Sequence, residues 1–249
     1  MEKKKYDLCR EVLRRLAAEG ILERVLLVGS WCMPAYEAYF RGKGIFPVLR
    51  TRDLEFLIPI PPRFAKKTDL HALLQDLGFV VDYKGEAGHI LFQHPDLILE
   101  FLVPARGRET GRPFPLPALG INAQALRFMD ALARSPIELK LQGVSVRVPH
   151  PADFALHKLL IASRRKEAAK SEKDRNQAVS LLQTLKDAGE MPLVMEILSG
   201  MPKSWQSTIH KELDSLGEAD LLLPQEDAGA NAGSGPKLSK VSLEMLALM

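Results

Sequence analysis

The run Leu97-Ile98-Leu99-Glu100-Phe101-Leu102-Val103 constrains this chain more than any other stretch. A short, almost wholly apolar segment bounded by turn formers reads as a buried strand. At its centre stands a glutamate. A carboxylate among such neighbours is costly unless it is solvated, paired or bound to a cation, so Glu100 needs a partner. The preceding residues His89 to Gln93 supply the other arm of a hairpin, turned at Pro95-Asp96.

A second strand, Asp53 to Ile58, is closed by Pro59, Pro61 and Pro62. Strand side chains alternate faces, so Asp53 and Glu55 project from one side and Leu54 and Phe56 from the other. Three carboxylates gathered at one sheet edge repel each other, and a hard divalent ion with a preference for oxygen ligands neutralises them most simply. Magnesium is the natural candidate, with manganese as substitute. The competing explanation is a salt bridge from Glu100 to Arg50, Arg52 or a helix lysine.

Apolar spacing at Leu8, Val12, Leu13 and Leu16, with Gly20 beyond, predicts a first helix over residues ~6 to 19. Val25 to Val28 reads as a buried strand ended by Gly29-Ser30, and a helix follows from Trp31 to about Phe40. Arg41 to Gly44 reads as a flexible basic loop. A helix near Asp69 to Leu77 and a strand at Phe79 to Tyr83 come next. Residues 104 to 120, with four prolines and three glycines, read as a loop over the site. Ile137 to Leu141 and Val144 to Val148 make a second hairpin around Gln142-Gly143. From Pro151 the pattern turns helical, with further helices over ~172 to 188, 192 to 199 and 203 to 216. Pro224 to Lys237 reads as a mobile linker, followed by one short apolar helix. The expected organisation is therefore 1–149, 150–222 and a tail over 223–249.

Composition narrows the classes. With 34 basic and 31 acidic residues in 249, bulk charge does not announce nucleic-acid binding, so any anion site must be local. Cys9 and Cys32 show neither a pairing pattern nor metal-ligand spacing and read as buried thiols in a reducing compartment. The charged start lacks the apolar core of a signal peptide, and no apolar run reaches the ~18 residues of a membrane span, so a cytoplasmic location is expected. The six histidines lack zinc-ligand spacing and read as surface residues. No Walker loop, Rossmann fingerprint or Gly-x-Ser-x-Gly is present.

Leu26-Leu27-Val28-Gly29-Ser30, then Arg50-Thr51-Arg52-Asp53-Leu54-Glu55-Phe56, then Leu99-Glu100-Phe101 resemble, in order, the signature elements of the nucleotidyltransferase-fold (DNA polymerase β-like) superfamily. The long interval between the first two elements resembles the AbiEii-like, toxin-related branch. The resemblance spans about residues 22 to 190. It implies an α/β (α+β) nucleotidyltransferase fold with a mixed sheet, followed by a C-terminal helical domain. It implies Asp53, Glu55 and Glu100 as metal ligands and catalytic carboxylates, and Gly29, Ser30, Arg50 and Thr51 beside the nucleotide. Glycine lets phosphate approach the backbone, and the next helix offers unpaired N–H donors. Glu55 in place of the commoner aspartate and the bulky Trp31 after Gly-Ser depart from the pattern.

Seven basic and three acidic residues lie between 158 and 175. Lys158 and Arg165, seven apart, are expected on a common helical face. By resemblance to the AbiEii-like helical region, Lys158 and Lys173 are triphosphate contacts, and Asp174 orients one of the lysines. The expected activity is metal-dependent transfer of a nucleoside monophosphate from a nucleoside triphosphate to a hydroxyl of RNA (a tRNA end), protein or a small molecule. The alternative is an inactive member of the fold, serving as a nucleotide-sensing or protein-interaction module in a toxin–antitoxin or defence system.

Overall fold

The computed structural model describes residues 2–44, 51–105, 107 and 111–223. Helix α1 (Glu2–Ala18) turns Cys9, Val12, Leu13 and Leu16 wholly inward, as the apolar spacing requires. After a 3-10 turn at Leu22–Arg24 come strand β1 (Leu26–Val28), a second 3-10 turn at Gly29–Trp31 and helix α2 (Cys32–Tyr39). Strand β2 (Asp53–Leu57) follows. Helix α3 (Leu70–Leu74) starts where the Asp69 carboxylate accepts the backbone N–H groups of His71 and Ala72 at 2.9 and 3.1 Å.

Strands β3 (Val80–Lys84), β4 (His89–Gln93) and β5 (Ile98–Pro104) form a meander. Strands β6 (Phe114–Leu116) and β7 (Ile121–Leu126) come next, then a 3-10 turn at Met129–Ala133. The hairpin of β8 (Ile137–Leu141) and β9 (Val144–Val148) leads into four helices: α4 (Pro151–Ala162), α5 (Ala168–Asp187), α6 (Met191–Ser199) and α7 (Lys203–Leu216).

The main sheet is mixed, in the order β1-β2-β5-β4-β3, with β7 also paired to β5 and β6 to β7. Strand β5 runs parallel to β2 along its length. Its other edge is shared, antiparallel to β4 at its start and parallel to β7 at its end. This central place explains the apolar run around Glu100. Helix α4 is buried on nearly every side and packs against α5, α6 and α7, so its polar side chains must be satisfied within the protein.

Several expectations change. The stretch 104 to 120 is not all loop: Phe114–Leu116 pairs with β7, and none of its described residues lines the cleft below. Strand β7 itself, Ile-Asn-Ala-Gln-Ala-Leu, alternates apolar and polar side chains, but two of its apolar positions are alanines, which carry little strand-forming signal. The histidines are not all on the surface. His157 is buried in α4, and buried His150 caps that helix, its Nδ1 accepting the Ala152 N–H at 3.2 Å. Trp31 points into the core, its ring packed edge-on against Tyr6 at 5.5 Å. Both cysteines are buried and free, and burial pushes the Cys9 thiol up to about 12. Arg50 and the tail from 224 lie outside the described residues. No helix among the described residues is long and apolar enough to cross a membrane.

Candidate active site

The parallel register of β2 and β5 sets Glu55 directly beside Glu100, and Asp53 beside Ile98. Because faces alternate, Asp53 lies on the same side as the two glutamates, two residues away. Like charges opposite one another destabilise a sheet, so each of these carboxylates needs an explanation.

Each has a different one. Both Glu100 oxygens accept from Lys84 Nζ, at 3.0 and 3.1 Å, from the far edge strand β3. Asp53 Oδ2 accepts from the Thr51 hydroxyl at 3.0 Å, and that same hydroxyl oxygen accepts the Asp53 N–H at 3.1 Å. Among the described residues, no side chain of the sheet hydrogen-bonds Glu55. Burial raises its pKa, partly opposed by Lys158, and the Glu100 and Asp53 charges push the same way as burial.

The seat of Glu55 accounts for the first departure from the expected pattern. Gly29 adopts φ +69°, and a Cβ there would land on the Glu55 carboxyl group, with Cδ only 3.0 Å away. The extra methylene of glutamate thus reaches into space that only glycine leaves open. Gly-Ser and Asp-x-Glu are one packed unit.

Opposite this acidic floor stands a basic wall. Lys158 is 5% exposed, and its Nζ donates to Asp174 Oδ1 at 2.5 Å. Arg165 Nε donates to Asp174 Oδ2 at 2.8 Å. Burial by itself would raise the Asp174 pKa, but Lys158 and Arg165 together hold it below its ordinary value. Lys173, on the same helix turn as Asp174, has its pKa lowered by burial and then by Lys158, while Asp174, Asp53 and Glu55 oppose. Floor and wall therefore lie within electrostatic reach.

Between them opens a cleft of about 550 Å³, lined by Ser30, Thr51, Asp53, Glu55, Glu100, Lys158, Lys173 and Asp174. Gly29 lies just behind Ser30, under Glu55. Eight of the nine residues singled out from sequence thus gather at one place, with Arg50 outside the described residues. Arg165 lines the cleft too, but not from the face expected: α4 ends at Ala162, so Arg165 joins Lys158 only through Asp174.

Other residues were missed. Asp82 and Lys84 of β3, Gln93 of β4 and Gln124 of β7 also line the cleft. The partner of Glu100 is Lys84, whereas Arg52 donates to the Pro95 carbonyl at 2.9 Å on the turn. Asp82 and Lys84 share a strand parity, a signal legible only once β3 is known to border the same face. Among the described residues no three acidic, histidine or cysteine groups are yet close enough to hold one ion.

A two-walled cleft with carboxylates on a mixed sheet and cations on the covering helices defines a class of site suited to charged phosphates. The sequence comparison gives the family: a model of nucleotidyltransferases matches residues 8–198, and the chain belongs to that family. No curated protein matches the chain. Among solved structures, the chain is similar to the solution structure of the antibiotic-resistance factor ANT(2'')-Ia, at 13% identity and TM-score 0.47, covering 87% of this chain and 97% of that one. It is similar to ANT(2'')-Ia in complex with adenylyl-2''-tobramycin, at 14% identity and TM-score 0.45, covering 79% and 98%. An antigenic nucleotidyltransferase-like protein from Paracoccidioides brasiliensis matches at 13% identity and TM-score 0.40, covering 83% and 92%.

Proposed function

We propose that this cleft binds a nucleoside triphosphate and transfers its nucleotidyl group to a hydroxyl acceptor. The observation that carries the reading is the Glu55–Glu100 register, with Asp53 on the same face, set against Lys158 and Lys173. The acidic and basic halves match the two needs of such a reaction: carboxylates at the reacting phosphorus and cations along the polyphosphate.

The residues fit a divalent ion. The donors are all carboxylate oxygens, and the raised pKa of Glu55 marks a charge that Lys158 compensates only in part, where a hard cation would complete the balance. Asp53 and Glu55 would hold magnesium or manganese, with Glu100 as third ligand once Lys84 withdraws. When bound, the ion neutralises charge on the phosphates and acidifies the acceptor hydroxyl.

The chain's own groups do the rest. Ser30 and the backbone leading into α2 receive phosphate oxygens, with Gly29 leaving room for close approach. Thr51 orients Asp53, and Lys158 and Lys173 bind the leaving pyrophosphate, with Asp174 fixing Lys158. Arg50 belongs with these cations by its place in the motif. The acceptor oxygen bonds to the α-phosphorus as the bond to the β-phosphate oxygen breaks. Its proton passes to a Glu100 carboxylate oxygen, and the electron pair leaves with pyrophosphate. The Lys158–Asp174 contact also supports the narrower AbiEii-like kinship suggested by Lys158 and Lys173-Asp174.

A test is nucleotide binding and transfer with magnesium or manganese, using each labelled triphosphate and RNA, protein and small-molecule acceptors. Wild type should bind and transfer; Asp53→Asn should lose metal-dependent binding. A wild-type protein that binds no triphosphate with either metal would sink the proposal. The Lys84–Glu100 ion pair favours a second reading, a non-catalytic nucleotide-sensing or interaction module. Binding without transfer, both before and after Lys84→Ala, would select it.

A further inference from the structure

A second hollow, of about 350 Å³, opens beside the cleft, and Leu126 and Arg165 line both spaces. Among its lining residues is Phe128, which has φ +69°, a conformation bulky side chains rarely adopt. The Arg164 guanidinium lies 4.7 Å from the Phe128 ring centroid and that of Arg127 5.5 Å. The Trp205 ring meets Phe128 edge-on at 5.1 Å. The hollow therefore presents aromatic and guanidinium planes, which suit stacking of flat π-systems.

One polar group in it is unanswered. His157 lines the hollow and is 3% exposed, and its Nε2 has no hydrogen-bond partner among the described residues. Burial, then Lys158 and Arg165, with Asp174 opposing, push its pKa down to about 3, so the ring is neutral at ordinary pH. A neutral imidazole nitrogen pairs well with an uncharged donor or acceptor. A purely apolar ligand would leave it unpaired. A bare phosphate would use the arginines and leave the neutral ring and Phe128 idle, and a polycation would be repelled by Arg127, Arg164 and Arg165.

We propose that the hollow formed by Phe128, Arg164 and His157 is a nucleobase subsite, continuous with the carboxylate cleft through Arg165. The base stacks on the Arg164–Phe128 pair, and a small opening of the lining lets its polar edge reach His157 Nε2, which is closed to solvent in the free protein. Arg165 marks the passage from base to phosphate. The base belongs either to the nucleoside triphosphate or to the terminal nucleotide of an acceptor. The proposal rests on the reading of the cleft as a triphosphate site.

Calorimetric titration of the full chain with magnesium tests it. The ligands are non-hydrolysable analogues of the four nucleoside triphosphates, inorganic tripolyphosphate, and a short ribo-oligonucleotide without a triphosphate. Arg164 is exposed, so Arg164→Ala and Arg164→Lys should fold. Both should weaken base-bearing ligands roughly 10-fold, because even lysine lacks the plane for stacking, while tripolyphosphate affinity stays unchanged. Loss confined to the triphosphate analogues assigns the base to the triphosphate; loss confined to the oligonucleotide assigns it to the acceptor. If both variants bind every ligand as wild type does, or Arg164→Ala weakens tripolyphosphate equally, the subsite is overturned while the cleft reading stands. If wild type binds neither nucleotide nor tripolyphosphate, the cleft reading fails first and the subsite falls with it.

Discussion

The basic wall on α4 and α5 and the acidic floor on β2 and β5 face each other across one cleft, yet they handle buried charge in opposite ways. On the wall, Asp174 sits between Lys158 and Arg165 and answers both cations from inside the protein. On the floor, Glu55 and Glu100 stand in register, and among the described residues the one cation hydrogen-bonded to either is the distant, half-exposed Lys84. The difference teaches which half is self-contained. The wall answers its buried charge by direct ion pairs, whereas Glu55 on the floor is answered only in part, by Lys158 across the cleft.

Removing the wall's internal counter-ion should have the largest effect. Asp174→Ala would leave Lys158 buried without a partner, in a pair whose side chains are 6% and 4% exposed. Breaking such a pair from one side typically costs about 3 to 5 kcal/mol. Chemical denaturation should show a loss of that order. A loss below about 1 kcal/mol would mean that Lys158 finds solvent, and that wall and floor are not so different.

Next comes the joint of the floor and the Gly29-Ser30 turn. Gly29→Ala must hold a left-handed conformation, at about 1 to 2 kcal/mol, and displace the Glu55 carboxyl group as well. Nucleotide affinity should fall along with stability. Glu55→Asp in the same chain, by withdrawing the carboxylate one methylene, should recover about 1 kcal/mol of coupling in a double-mutant cycle. Strict additivity of the two changes would separate Gly29 from Glu55 and undo their description as one unit.

The opposed charge handling also predicts opposed pH dependence. Asp174 has a folded-state pKa below its ordinary 3.8, so the stability it contributes is present above that value and disappears as pH falls through the folded one. Glu55 has a folded-state pKa above its ordinary 4.5. Its favourable contribution is complete below 4.5 and is lost as pH rises through the folded value. Glu55→Gln should therefore gain stability relative to wild type as pH rises from 4 towards neutrality. Asp174→Asn should hold a near-constant deficit over that rise and close it only as pH falls below 3.8. Unfolding free energies of the three proteins from below 3.8 to neutrality would show the two differences changing in separate windows and in opposite senses. Parallel curves would mean that floor and wall are equally compensated.

How much of this was legible in sequence depends on the range of the interaction. The shared face of Asp53 and Glu55 follows from the period of two along one strand, and the oddity of Glu100 follows from its immediate neighbours. The Glu55–Glu100 register is non-local: the ordered motifs imply that the carboxylates converge, but not which residues stand side by side. Strand β7 was hidden because two of its alternating apolar positions, Ala123 and Ala125, are small and weakly strand-forming, and its strand character comes from pairing with β5 and β6. Lys158 and Arg165 read as one helix face because spacing alone cannot show that α4 stops at Ala162, and only the resemblance implies that Asp174 orients a lysine. Lys84 escaped notice since its partner lies two strands away across β4, a relation set by sheet order.

Lys84 is also where the smallest change tests the comparison most sharply. Its side chain is 52% exposed, so its ion pair with Glu100 is solvent-screened and worth roughly 0 to 1 kcal/mol. Lys84→Ala should barely move the unfolding transition. The same substitution strips Glu100 of its counter-charge and leaves it directly beside Glu55, which raises the demand for a cation at the floor. Magnesium or manganese should then bind the ligand-free protein several-fold more tightly, by about the 1 kcal/mol no longer spent in displacing the lysine. Calorimetry with the metal alone reads this without any enzymatic assay. Unchanged metal affinity would show that Lys84 does not compete for the floor, and the contrast with the self-contained wall would then rest on Glu55 alone.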